Sequence, residues 1–143
     1  EKPTRTIHIM TKLTDVEGIG DIYSEKLKNA GISTTEALLE ACSSKKGREE
    51  TSEKTEISQK LITSWANRAD LSRVNGVSTQ YADLLEYAGV DTVPELAQRN
   101  SENLTAKMIE INDAKNLVRK VPTVSQTQSW IDQAKDLPRV MTY

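Results

Sequence analysis

Cysteine and histidine are almost missing from this chain, which has one of each, Cys42 and His8, in 143 residues. One cysteine allows no internal disulfide and no thiolate zinc cage, and one histidine allows no multi-histidine metal site. Any Ser-His-Asp or Cys-His mechanism would rest on His8 alone, in a stretch without a turn signal. Phenylalanine is absent and aromatics total 4%, so two tryptophans and four tyrosines carry all the ring packing. No run approaches the roughly 18 apolar residues of a membrane-spanning helix. No Gly-x-x-x-x-Gly-Lys nucleotide loop occurs, and the many carboxylates show no recognisable catalytic pairing. Neither charge dominates: 21 acids face 19 bases, a formal net charge of −2. The expectation is a soluble globular protein that is not an enzyme, takes no cofactor or small-molecule substrate, and does not enter a membrane. A chain this long can bury about 70% of its unfolded surface, enough for a core. Cys42 is expected as a small buried residue near a helix end. Glu1–Met10 has no secretory pattern, so a cytoplasmic location is expected. The sequence opens without methionine, as a piece of a longer chain would.

What is present is self-similarity. Val16–Leu38 recurs 58 positions later as Val74–Leu96, with eight identities in 23 positions: Val16/Val74, Gly18/Gly76, Tyr23/Tyr81, Leu27/Leu85, Ala30/Ala88, Gly31/Gly89, Thr34/Thr92 and Leu38/Leu96. Trp65–Leu71 likewise parallels Trp130–Leu137 with one inserted residue. Two units of about 60 residues follow, over 13–71 and 72–143, fused through the helix ending at Leu71. They are preceded by an extended arm, 1–12, whose Thr4–Met10 stretch alternates polar and apolar residues.

Each unit reads as helices, giving an all-α fold with both units packed as one body. Leu13 and Val16 make a short turn before Gly18-Ile19-Gly20; Ile22, Tyr23, Leu27 and Ala30 then recur on one apolar helical face. Gly31 and Gly89 are helix stops, where a side chain would clash in the left-handed conformation. Ser33 with Glu36, and Thr92 with Glu95, have capping-box spacing. Ser43–Glu56 lacks any apolar residue and its charges cancel, which suits a solvated loop or a short exposed helix. Ser58 is expected to cap the helix carrying Ile62 and Trp65, and Thr123 with Gln126 to open the last. Leu104 to Val118 suits one or two helices. Trp65, Trp130, Tyr23 and Tyr81 fall on apolar faces and are expected in the core. Tyr87 and Tyr143 are freer to make surface contacts.

Val16-Glu17-Gly18-Ile19-Gly20 followed by Tyr23 and Leu27 resembles a helix-hairpin-helix motif. With Gly31-Ile32, Trp65, Ala69-Asp70-Leu71, Tyr81-Ala82, Ala88-Gly89-Val90 and Trp130-Ile131, the layout over 13–140 is similar to an uncharacterised bacterial family of domain-of-unknown-function proteins built from tandem helix-hairpin-helix-like units. In DNA-binding members of that motif the hairpin offers backbone amides to a phosphate at a helix N-terminus. The resemblance places that role on Gly18, Ile19 and Gly20, and on Gly76, Val77 and Ser78, with Ser78 departing from the expected second glycine.

Charge points the other way. Thr14–Ser43 carries two bases against six acids, and Ser72–Gln98 one base, Arg73, against four acids. Both hairpins are acidic, whereas non-specific DNA affinity comes mostly from cations on phosphates. The leading expectation is therefore a binding or scaffolding module for a protein partner, with Arg5, Ile7 and Ile9 of the arm and Tyr87 as candidate contacts. Sequence-nonspecific DNA binding through hairpin amides is the alternative.

Overall fold

The computed structural model describes residues 12–16 and 18–143, and these contain eight α-helices and no strand. A 3-10 turn, Leu13–Asp15, leads into α1 (Asp21–Asn29), α2 (Thr35–Cys42), α3 (Lys45–Thr55) and α4 (Gln59–Leu71). α5 (Thr79–Tyr87), α6 (Val93–Ala97), α7 (Ser101–Lys115) and α8 (Val124–Asp136) complete the fold. The all-α expectation holds.

Local signals explain the helix ends. α1 and α5 stop in the same way: Gly31 (φ 89°) and Gly89 (φ 94°) turn left-handed. The Ile32 and Val90 amides then reach back to the Leu27 and Leu85 carbonyls, each at 2.9 Å. This 6→1 bond closes the carbonyls that a helix terminus leaves open. Ser58 and Thr123 cap α4 and α8, and Thr92 with Glu95 forms the capping box of α6. At α2 the cap is Thr34, whose hydroxyl accepts from the Ala37 amide, and not Ser33. The identity Thr34/Thr92 marks the cap; the Ser33/Glu36 spacing starts one residue early.

Packing gathers the apolar faces into two clusters, one centred on Leu27, Leu38, Ile62 and Trp65, the other on Leu84, Leu85, Leu96 and Ile131. α2 lies across α4 as α6 lies across α8, and α3 and α7 cover the same two helices. Burying such clusters stabilises by about 25 cal/mol per Å² of apolar surface. Cys42 ends α2 fully buried, as expected. Ile22 is not on the buried face: it is 75% exposed, because Tyr23, Leu27 and Ala30 set the inward stripe at 3.6-residue spacing and Ile22 lies about 100° off it.

α4 joins the clusters to each other. Arg68 Nη2 reaches Asp83 Oδ1 at 2.8 Å and Glu86 Oε1 at 2.7 Å on α5. Asp70, fully buried, accepts from Arg73 Nη1 (2.8 Å) and from the Val93 amide at the start of α6 (2.9 Å). Arg73 Nη2 then donates to the Pro138 carbonyl at 2.7 Å.

The run Ser43–Glu56 is largely α3, and it is not merely solvated. Arg48, Thr51 and Thr55 are buried on its inner side. Arg48 was indistinguishable in the sequence from the surface charges around it. After α8 the chain returns to the first cluster, where Met141 is 1% exposed.

Candidate functional site

The two Gly-x-x turns have one backbone design. Gly18 (φ 93°) and Gly76 (φ 96°) are left-handed, and the Ile19 and Val77 amides donate to the Val16 and Val74 carbonyls, each at 3.1 Å. A β-carbon on Gly18 would sit 3.2 Å from Trp65 Nε1; on Gly76, 3.0 Å from Trp130 Nε1. Each indole also meets a tyrosine ring, Tyr23 on Trp65 and Tyr81 on Trp130, with centroids 5.3 Å apart in both. The rings and tryptophans are thus turn supports within the core, as expected from their faces. Ile19 and Val77 point into the clusters, while Gly18, Gly20, Gly76 and Ser78 remain exposed.

Beyond the backbone the turns diverge. In the second, Ser78 Oγ accepts from the Tyr81 amide (3.3 Å), capping α5 with the turn's own side chain. Gln133 of α8 clamps Asn75, accepting from its amide at 3.0 Å and donating to its carbonyl at 3.2 Å. The Tyr81 hydroxyl donates to the Lys120 carbonyl at 2.8 Å. In the first turn the N-cap is Gly20, which has no side chain to accept from the leading amides of α1. A β-carbon on Gly20 would meet nothing within 4 Å. Beside it stands the exposed Ile22, where the matching position holds Gln80. Exposed Asp15, Asp21 and Glu25 belong to the same end of the first half.

The remaining candidates are scattered. Arg5, Ile7 and Ile9 lie outside the described residues, as does the arm through Thr11. Tyr87 is 47% exposed, with the Lys115 ammonium 4.6 Å from its ring centroid. The basic residues do not form a surface strip with Arg48, which is buried.

A polar cleft of about 440 Å³ at the meeting of the halves went unseen in the sequence, because α4, α6 and the closing segment build it together. Asn67, Asp91, Thr92, Glu95, Arg139 and Tyr143 line it. Burial pushes the Asp91 carboxyl above its ordinary range; Glu95 adds to this and Arg99 opposes it. Burial, with Asp70 adding and Arg48 opposing, pushes the Tyr143 phenol up to about 12. Glu95 Oε1 is already bound to the Asp91 and Thr92 amides, at 2.9 and 3.1 Å. Among the described residues, no cluster of three or more His, Cys, Asp or Glu could hold a metal ion, and no helix is long and apolar enough to cross a membrane.

The family model described as "Domain of unknown function (DUF4332)" matches residues 17–137. No curated protein and no solved structure matches the chain.

Proposed function

We propose that the chain, which belongs to the DUF4332 family of domains of unknown function, is a non-catalytic module that holds a protein partner through its first glycine turn. In this reading its halves are tandem helix-hairpin-helix-like units, and one has kept an open hairpin while the other has closed. Matched left-handed glycines and matched Trp–Tyr supports, 58 or 65 positions apart, favour the duplication.

The observation that carries the proposal is the asymmetry at Gly20/Ser78 and Ile22/Gln80. The second hairpin satisfies its own helix start and is clamped by Gln133. The first has glycine at the N-cap of α1, with no side-chain cap bond from it, and holds Ile22 75% exposed. An exposed aliphatic anchor among carboxylates fits an apolar socket rimmed by lysine and arginine, since complementary charge steers and registers such contacts. Hairpin acidity also argues for protein over nucleic acid. A lone buried thiol suits a reducing compartment, and we place the protein in the cytoplasm.

The open α1 N-terminus favours one second reading, phosphate binding by the Gly18–Gly20 amides. Affinity capture from the source organism, with and without nuclease, separates the two. The protein reading expects a partner that survives nuclease and is lost with Ile22→Asp. The nucleic-acid reading expects capture that nuclease abolishes, duplex affinity falling steeply with salt, and loss with Gly20→Asp.

A further inference from the structure

The second glycine turn carries a reactive pair that its packing does not use. Asn75 is followed directly by Gly76, and no other of the seven asparagines precedes a glycine. Both residues are exposed. The turn cannot give this glycine up, since φ is 96° there and a β-carbon would stand 3.0 Å from Trp130 Nε1. Among the described residues the Gly76 amide donates no hydrogen bond and the Asn75 side-chain amide makes none. The Asn75 main chain is held at both ends, its amide donating to Gln133 Oε1 (3.0 Å) and its carbonyl accepting from Gln133 Nε2 (3.2 Å).

This arrangement suits intramolecular imide formation. The Gly76 nitrogen and the Asn75 side-chain carbon, Cγ, can close a five-membered ring, and glycine has no side chain to crowd the approach. The N–Cγ bond forms, the Cγ–Nδ2 bond breaks, and Nδ2 leaves as ammonia with the proton of the Gly76 amide. Water then opens the ring. Attack at Cγ gives aspartate; attack at the main-chain carbonyl gives isoaspartate, whose chain runs through Cβ and Cγ. Other asparagines are engaged. The side chains of Asn100 and Asn112 accept backbone amides, the amide of Leu117 after Asn116 is bound to Asn112 Oδ1 at 2.7 Å, and Asn67 is buried.

We propose that Asn75 is a self-modification site, converting through a succinimide with Gly76 to aspartate and isoaspartate, and that the Gln133 clamp sets the rate. Ring closure turns the Gly76 nitrogen toward Cγ, which rotates the peptide plane whose carbonyl Gln133 holds. Aspartate places a carboxylate where the first repeat has Glu17. Isoaspartate lengthens the main chain by a carbon just before Val77, which is buried in the second cluster, and so loosens the clamped turn. This chemistry does not depend on what either hairpin binds.

The test ages the folded full chain for weeks at neutral pH and physiological temperature, then weighs the tryptic peptide 74–99, in which Asn75 is the only asparagine. Wild type is expected to accumulate a gain of about 1 Da there. The same peptide is expected to be labelled by an isoaspartate-specific methyltransferase, and Asn75→Ser to show neither change. Gln133→Ala is expected to convert about tenfold faster, since two hydrogen bonds restraining the pair are gone. If that variant loses its helical circular dichroism, Gln133→Glu replaces it; glutamate keeps the acceptor, drops the donor, and is also expected to convert faster than wild type. A 74–99 peptide of constant mass in folded wild type overturns the proposal, as does a clamp variant that converts no faster than wild type.

Discussion

Single residues do unequal work at positions that look alike. Gly18 and Gly76 share a left-handed backbone that costs other L-residues about 1–2 kcal/mol, and both back onto an indole nitrogen. The Gly76 gap is the tighter, at 3.0 Å against 3.2 Å, so Gly76→Ala is expected to destabilise at least as much as Gly18→Ala. Urea unfolding of both variants measures this. Glu86 shows the opposite kind of constraint. Burial raises its carboxyl pKa, Arg68 opposes, and Asp91 and Asp83 add to the rise. A raised carboxyl pKa means that the folded state holds the proton more tightly than the unfolded chain. The group's contribution therefore favours folding as pH falls toward the ordinary carboxylate range and turns unfavourable as it ionises. Glu86→Gln is expected to remove this group's contribution, so that stability rises less on acidification toward the ordinary carboxylate range than it does in wild type. Thermal melts of both proteins from neutral to mildly acidic pH check it.

At the scale of elements, the sequence is most legible where a residue's neighbours along the chain decide its role. Gly31 and Gly89 as stops, Ser58 and Thr123 as caps, and Trp65 and Trp130 as core residues all depend on local geometry or on a single helical face. The cap of α2 lies one residue beyond the Ser33/Glu36 spacing because serine and threonine compete there, and only the backbone determines which hydroxyl faces Ala37. Thr34→Ala is accordingly expected to cost about 1 kcal/mol, while Ser33→Ala leaves the melting temperature unchanged. α3 was harder to read. Its charge balance says surface, yet Arg48 is drawn inward by three carbonyls, one of them 94 positions away, and no local pattern reports such a partner. Spacing alone puts Ile22 on the apolar face, whereas its 75% exposure makes it a candidate contact beside the first turn.

For the whole molecule, the self-similarity of 16–38 and 74–96 is readable in the sequence and the coupling of the two halves is not. The Arg68–Asp83–Glu86 group, the Asp70–Arg73–Pro138 chain and the return of Met141 to the first cluster each join residues from the two halves, a pairing that self-similarity along the chain does not report. With this many cross-links the halves are expected to unfold together, so tryptophan fluorescence and far-ultraviolet circular dichroism should trace one coincident transition. Two resolved transitions would mean that the junction is weaker than its contacts indicate. The candidate site follows the same division: the glycines are visible in the sequence, while the difference between a glycine-capped turn and a serine-capped, glutamine-clamped one needs Gln133 and Ser78 in place.

The most direct test compares partner affinity for Ile22→Asp with that for Gln80→Asp, the same change at the matched position of the closed hairpin. The open-hairpin account expects Ile22→Asp to weaken binding by about tenfold or more, the loss of one anchor residue, with Gln80→Asp indistinguishable from wild type. Equal affinities for the two variants, or a loss confined to Gln80→Asp, would contradict it.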